Sequence, residues 1–367
     1  MMMTSYWAPV VPVLEDDLVH QLLVDGPPAI VALLVPGASM YLSLWALARG
    51  WIWTSRILVL PTLLLFWASI EIAPVRCLAL RGVFDFGIVI GVMKLVELHL
   101  LCWQKAFPKY TNGKPPRPSI MALLLLTELR HESFTPNPIR LAPTPQYPFP
   151  SSPKKRRVFY SEHVQILIHI AMFIALQSLP QYAPVKAFGV LLSIWILFTG
   201  CQLMLRYKNS PPLFGPIFLA DSLATFWTET WHNAFASPCL TLAYNPTMWI
   251  LTKVGVPRRI ARSFAVIASF SLMAVFHAEV MSPLLPPEGK MRIGLFFVLN
   301  GVFTVIEVAV WGKKRDWRRA LMAWIIELAL ASWAVQTAQV ADGLLHADWR
   351  GLCRPKIVRT PAGSLLI

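Results

Sequence analysis

Residues 263–281 read Ser263-Phe-Ala-Val-Ile-Ala-Ser-Phe-Ser-Leu-Met-Ala-Val-Phe-His-Ala-Glu-Val-Met281. Apart from His277 and Glu279, this run contains only apolar residues and serine. A bilayer core about 30 Å thick needs about 20 such residues in a helix, so the run predicts a membrane-spanning helix. An imidazole is costly to place there without a purpose. His277 is therefore the first candidate functional residue.

The rest of the chain belongs to the same structural class. It has 367 residues, of which 56% are hydrophobic and only 14% are charged, whereas soluble domains carry about 25% charged residues. We therefore predict an all-α polytopic membrane protein embedded in the lipid bilayer. Its eight candidate spans are 29–48, 57–72, 83–103, 164–180, 187–205, 263–281, 293–311 and 320–341.

The net charge of +14 comes from basic clusters in the gaps between the apolar runs. That distribution is typical of loops facing the cytosol and anionic headgroups, so we expect no nucleic-acid partner. The five cysteines are scattered without a CxxC pair. The spacing therefore predicts neither a disulfide framework nor a metal site.

The loop 104–163 is rich in proline and carries ten Lys or Arg residues, which assigns it to the cytosol. Counting back three spans places residues 1–28 in the lumen as an N-terminal tail. The segment 226–243 is difficult, because Pro238 interrupts it and several polar residues lie within it. If this segment is re-entrant or interfacial, the basic loops 244–262 and 312–319 both face the cytosol. We therefore predict one membrane domain at 29–345, with a re-entrant helix, followed by a C-terminal tail at 346–367.

A second polar group of residues lies in that segment, Phe226-Trp227-Thr-Glu-Thr-Trp231-His232-Asn233. A carboxamide such as Asn233 can orient a hydroxyl or donate to a developing oxyanion. On a continuous helix Phe226, Glu229 and Asn233 would share one side. The alternative is an amphipathic interfacial helix whose tryptophans lie at headgroup level.

Other polar residues in the spans have simpler interpretations. His277 could be a general base, or a histidine satisfied by a neighbouring helix. Lys94 and Glu97 could form an i,i+3 ion pair, although they could also line an entry path. Glu307 and Glu327 are expected to face the bundle interior.

The motif Phe226-Trp227-x-x-x-Trp231-His232-Asn233 resembles the signature of wax synthase-like proteins in the membrane-bound O-acyltransferase superfamily. The stretch from Ser271 to His277 resembles the apolar segment that ends in the histidine of that superfamily. The resemblance covers mainly residues 200–345. The chain departs from the family pattern at Ala278, where glutamate is common, and in the degraded Arg-Gly motif around 129–131.

The resemblance implies acyl transfer from a CoA thioester to a hydroxyl. His277 would deprotonate the alcohol, while Asn233 and His232 would position it or stabilise the oxyanion. It implies no permanently bound cofactor and no metal, with acyl-CoA as co-substrate. The residues expected to contact substrate are Trp227, Trp231 and Glu229, and those expected to bind the CoA phosphates are Arg206, Lys208, Arg258, Arg259 and Arg262.

Many similar fungal proteins acetylate terpenoid or polyketide alcohols. The resemblance therefore favours acetyl-CoA, a hydrophobic natural-product acceptor and the endoplasmic reticulum membrane. One alternative is a long-chain-alcohol O-fatty-acyltransferase that makes wax esters. A small-molecule transporter is a second alternative. It would show repeated polar residues or two similar halves, and this chain has neither.

Overall fold

The computed structural model describes residues 18–111, 113–135, 161–205, 212–312 and 316–338, with the shorter pieces 340, 353, 357–360 and 363–366. Ten helices of at least nine residues dominate these parts of the chain. They are α1 (Leu18–Ala48), α2 (Ile52–Ile72), α3 (Leu78–Trp103), α4 (Pro118–Thr127), α5 (Glu162–Gln177), α6 (Ala183–Leu205), α7 (Asn245–Lys253), α8 (Arg258–Val280), α9 (Pro287–Trp311) and α10 (Trp317–Val335).

Strands are minor elements in the described residues. Strand β1 (Lys109–Tyr110) pairs antiparallel with β2 (Phe134–Thr135) and brackets α4. Strand β3 (Ile357–Thr360) pairs antiparallel with β4 (Gly363–Leu366) near the end of the chain.

The prediction of an all-α polytopic membrane protein is confirmed. Six described helices are long and apolar enough to cross a membrane, namely α1, α2, α3, α6, α8 and α9. The predicted spans 164–180 and 320–341 correspond to α5 and α10, which do not meet both conditions. Helix α5 has only 16 residues, and α10 carries Arg318, Arg319 and Glu327.

Helix α1 begins at Leu18 rather than at the predicted residue 29. Asp25 can lie inside this helix because its carboxylate accepts hydrogen bonds from the backbone N–H groups of Arg76 and Cys77, both at 2.7 Å. Backbone donors from the loop between α2 and α3 thus satisfy a carboxylate that would otherwise be costly to bury in a helix.

Helix α4 packs against the helices that precede it. Ala122 and Leu125 are completely buried, in one core cluster with residues of α1, α2 and α3, and α4 packs mainly against α1. The first three helices and α4 therefore form one packed unit. A second unit contains α8 packed on α9, and α6 packed between α5 and α10.

The expectation of no disulfide is wrong. Cys77, just before α3, is bonded to Cys353, which follows α10. Because 276 residues separate the two cysteines, their spacing gave no sign of the pair. In the predicted eight-span topology both positions lie on the lumenal side.

Candidate functional site

His277 lies in the last turn of α8, with its imidazole directed back along the helix. Its Nδ1 is 2.8 Å from the carbonyl oxygen of Met273. A carbonyl can only accept, so Nδ1 carries the hydrogen and Nε2 keeps a lone pair. No described residue forms a hydrogen bond with Nε2. The ring stacks on Phe297 with centroids 4.0 Å apart, which fixes the direction of the free nitrogen.

The segment that carries His232 and Asn233 is a series of short turns rather than one helix. A helical turn at Leu223–Thr225 is followed by a π-helical turn at Phe226–Thr230. Trp231 is then extended, with ψ 170°, and helical structure resumes at Ala236–Pro238 and Cys239–Tyr244. The expected shared helix face of Phe226, Glu229 and Asn233 is therefore wrong, because the helix ends before Asn233.

Helix α9 holds the start of this segment. The carboxylate of Glu307 accepts hydrogen bonds from the backbone N–H groups of Leu223 at 2.8 Å and Ala224 at 3.1 Å. Arg319 donates to the same carboxylate at 3.1 Å. Two turns back along α9, Asn300 accepts from the indole of Trp227 at 3.2 Å. The segment thus descends along α9, from near its C-terminal end towards its middle.

The two tryptophans of the motif have different environments. Trp231 is 6% exposed and stacks on Phe226 with centroids 5.5 Å apart, so it is a core residue. Trp227 is partly exposed and packs edge-on against Phe270 at 5.4 Å. It also lies 5.7 Å from Phe297, the ring that stacks on His277. Trp227 thus contacts the ring that stacks on His277, whereas Trp231 lies 5.6 Å from the ring of His232. Their predicted contacts with substrate, and that of the half-buried Glu229, stay predictions.

His232 lies next to the turn of α8 that carries His277, with one aromatic ring between them. The ring of Phe235 lies 5.6 Å from His232 and 4.7 Å from Phe276, the neighbour of His277. His232 Nδ1 is buried and has no hydrogen-bond partner among the described residues. Both histidines are half-buried and keep some exposed surface. The structure therefore brings together the two histidines that the sequence singled out.

Asn233 is held by a residue that the sequence analysis did not assign to the site. Its Oδ1 accepts a hydrogen bond from Nη1 of Arg130 at 2.8 Å. Its backbone N–H donates to the carbonyl of Leu213 at 3.3 Å. No described residue bonds its side-chain Nδ2. The available signal was weak, since Arg130 lies in the degraded Arg-Gly motif, 103 positions before Asn233.

Lys94 and Glu97 connect neighbouring segments and do not form the expected ion pair. Lys94 Nζ donates to the backbone carbonyl of Leu126 at 3.2 Å, and also to that of Glu128. The carboxylate of Glu97 accepts from Ser237 in the motif segment. These bonds tie the middle of α3 to the chain after α4 and to the site.

Three of the predicted CoA-binding residues, Arg258, Arg259 and Arg262, are exposed at the start of α8. At 1.5 Å per residue, Arg262 lies about 22 Å along the helix axis from His277. Arg206 and Lys208 lie outside the described residues. The structure thus separates the basic end of α8 from the imidazole at its other end.

Comparison with known proteins identifies the same region. Residues 210–299, which include the motif and His277, match the membrane bound O-acyl transferase family. "Probable long-chain-alcohol O-fatty-acyltransferase 7" of Arabidopsis thaliana is 27% identical over 139 residues, which is 37% of this chain and 39% of that protein. "Probable long-chain-alcohol O-fatty-acyltransferase 9" of the same plant is 32% identical over 111 residues, which is 30% of each chain.

These matches are partial. The chain aligns with between 30% and 39% of the length of the curated relatives that it matches. No solved structure matches it.

Proposed function

We propose that this protein is a membrane-bound O-acyltransferase, which transfers an acyl group from acyl-CoA to the hydroxyl of a hydrophobic alcohol. The observation that carries the proposal is the state of His277. Its Nδ1 is committed to a backbone carbonyl, so Nε2 is free to accept a proton. This imidazole and Asn233 both lie within the range that matches the family.

The reaction follows from these two groups. Nε2 of His277 takes the proton of the alcohol as the alcohol oxygen attacks the thioester carbonyl. The oxyanion that forms accepts a hydrogen bond from Nδ2 of Asn233. When the intermediate collapses, the C–S bond breaks and the CoA thiolate takes the proton back from the imidazolium. The products are an ester and free CoA, and His277 is neutral again. The neighbouring His232 contributes to positioning the alcohol.

A long fatty acyl group and a long-chain alcohol are the substrates that we favour. The relatives in Arabidopsis are named as long-chain-alcohol O-fatty-acyltransferases, and no comparison favours acetyl-CoA. Synthesis of wax esters is thus better supported than acetylation of a terpenoid or polyketide, which the sequence alone favours. The aromatic surroundings of His277, formed by Phe276 and Phe297, suit an apolar acceptor.

The exposed arginines at the start of α8 are proposed to bind the phosphates of CoA, together with Arg206 and Lys208. Their charge fits a cytosolic location, where positive loops concentrate. We further propose the endoplasmic reticulum membrane. A disulfide requires an oxidising compartment, and Cys77–Cys353 lies on the predicted lumenal side.

The substrate assignment is tested with the purified full-length protein in lipid nanodiscs. Palmitoyl-CoA and acetyl-CoA are each offered with hexadecanol or a terpenoid alcohol, and ester formation is measured. We expect kcat/KM for palmitoyl-CoA with hexadecanol to exceed every acetyl-CoA value by at least about tenfold, because each buried methylene contributes about 0.8 kcal/mol.

A preference for acetyl-CoA would contradict the long-chain assignment and favour the natural-product acceptor. Absence of ester with every pair would contradict the acyltransferase itself. Solute flux into liposomes under those conditions would favour the transporter.

A further inference from the structure

We propose that Arg130 is a positioning residue that fixes the side chain of Asn233 as a hydrogen-bond donor to the reacting thioester. This inference rests on the proposed acyltransferase function and deepens it. It assigns a role to a residue outside the range 210–299 that matches the family.

The orientation of the Asn233 amide follows from its partner. Guanidinium nitrogens only donate, so the atom 2.8 Å from Arg130 Nη1 must be the amide oxygen. A flipped amide would place two donors against each other. The NH₂ group of Asn233 therefore faces away from Arg130, and no described residue occupies it. Because Asn233 is partly exposed, this donor is available to a ligand.

Arg130 is itself rigidly held. Only 3% of the residue is exposed. Its Nη1 also donates to the carbonyl of Pro212 at 3.0 Å, and its Nε donates to the carboxylate of Glu132 at 3.1 Å. These bonds fix the guanidinium without help from Asn233. The position of the Arg130 guanidinium therefore determines the orientation of the Asn233 amide.

The contact also changes the chemistry of the amide. A hydrogen bond from a cation to the amide oxygen draws electron density from the nitrogen, which makes its N–H groups stronger donors. Such donors stabilise an oxyanion more than a neutral carbonyl, so their effect is largest in the transition state. Of the two roles that a carboxamide could have, the geometry selects donation to the thioester oxygen over acceptance from the alcohol.

The experiment is a double-mutant cycle between Arg130→Met and Asn233→Ala, with radiolabelled acyl-CoA in nanodiscs. Arg130→Met should lower kcat by about 10- to 100-fold, a part of the effect of losing an oxyanion donor, with KM changed by less than about threefold. If Arg130 acts through Asn233, the double variant should match Asn233→Ala within about threefold. If the arginine were merely structural, Arg130→Met would lower kcat by the same factor in the wild-type protein and in the Asn233→Ala protein.

Two further variants guard against a folding defect. Arg130→Lys keeps the buried charge opposite Glu132 but loses the planar fork, so kcat should fall by about tenfold in a folded protein. Arg292→Met is the matched control, because Arg292 also donates to a backbone carbonyl, that of Trp333 at 2.9 Å, but forms no hydrogen bond with a site residue in the described parts of the chain. It should keep the wild-type kcat. Size-exclusion profiles and thermal unfolding establish that each variant is folded.

A folded Arg130→Lys protein with wild-type kcat would overturn the proposal. Multiplicative losses in the double variant would also overturn it. If the wild-type protein is active, neither of these results contradicts the acyltransferase function. A wild-type protein without acyl transfer would instead contradict the function.

Discussion

At the scale of single residues, three of the described histidines share one local geometry. In each, Nδ1 donates to the carbonyl four positions earlier, at 2.8 Å in His99, 2.7 Å in His169 and 2.8 Å in His277. They differ in what Nε2 meets. In His99 it lies 2.9 Å from the hydroxyl of Ser55, and in His169 it is buried. Among these three, only His277 has an Nε2 that no described residue bonds and that is not buried. This difference supports the proposal that His277 is the base.

We therefore expect His277→Ala to lower kcat by about 10²- to 10⁴-fold, the usual contribution of a general base. The protein should remain folded, because the ring bonds only the backbone of its own helix. His99→Ala is the matched control, since it removes an equivalent imidazole from α3. Its kcat per folded molecule should stay within about threefold of wild type. Ester formation at saturating substrates measures both, and full activity in His277→Ala would remove His277 from the chemistry.

The sequence was sufficient to predict His277, His232 and Asn233 as site candidates, because polar side chains are rare in such apolar segments. It could not predict Arg130. Local patterns reveal neighbours three or four positions apart on a helix, whereas Arg130 and Asn233 meet through tertiary packing across 103 positions.

At the scale of elements, the close contact between α8 and α9 determines the position of His277. A Cβ atom on Gly301 would lie only 2.8 Å from Cβ of Phe270, so the two helices approach closely at this point. Phe270 in turn packs on Trp227, and Phe297, one turn before Gly301, stacks on His277. The contact between Gly301 and Phe270, which limits how closely α8 and α9 approach, thus lies next to the site.

Gly301→Ala should therefore destabilise the protein by about 1–3 kcal/mol, as overpacking of a core does. It should also lower kcat, because α9 must move away from Phe270. Gly294→Ala on the same helix is the matched control. Nothing lies within 4 Å of the Cβ that it adds, so its stability should be unchanged or rise by up to about 1 kcal/mol. Thermal unfolding in detergent and ester formation measure the two effects; equal melting temperatures for both variants would contradict this account of the contact.

Helix positions were predicted more reliably than the path of the motif segment. Long apolar runs specify α2, α3, α6, α8 and α9, because length and apolarity are the properties that a bilayer selects. The turns from Leu223 to Tyr244 have no comparable local signal. Their path is decided by distant partners, chiefly the Glu307 carboxylate at their start and the Glu97 carboxylate at Ser237.

At the scale of the whole molecule, the Cys77–Cys353 disulfide joins the unit of α1–α4 to the chain after α10. Cys77 is completely buried and Cys353 is 8% exposed. The bond therefore lies within the packed protein and fixes the end of the bundle at the N-terminus of α3.

Cys353→Ser should destabilise the protein by about 2–5 kcal/mol, the usual cost of removing a native disulfide. The melting temperature in detergent, without reductant, measures the change. Cys201→Ser is the control, because Cys201 is a free cysteine in α6 and its loss should leave the melting temperature unchanged. A thiol at Cys77 that reacts with a maleimide in unreduced, denatured wild-type protein would show that the bond is absent.

The same bond has a consequence for how the protein is made. Cys77 leaves the ribosome early, yet its partner follows 276 residues later, after α10 has been synthesised. In the predicted topology, the two thiols can meet only when the spans between them have been inserted with the correct overall parity. An odd number of insertion errors leaves Cys353 on the opposite side of the membrane, with Cys77 unoxidised. The oxidation state of Cys77 would thus report whether the chain between the two cysteines was inserted with the correct overall parity.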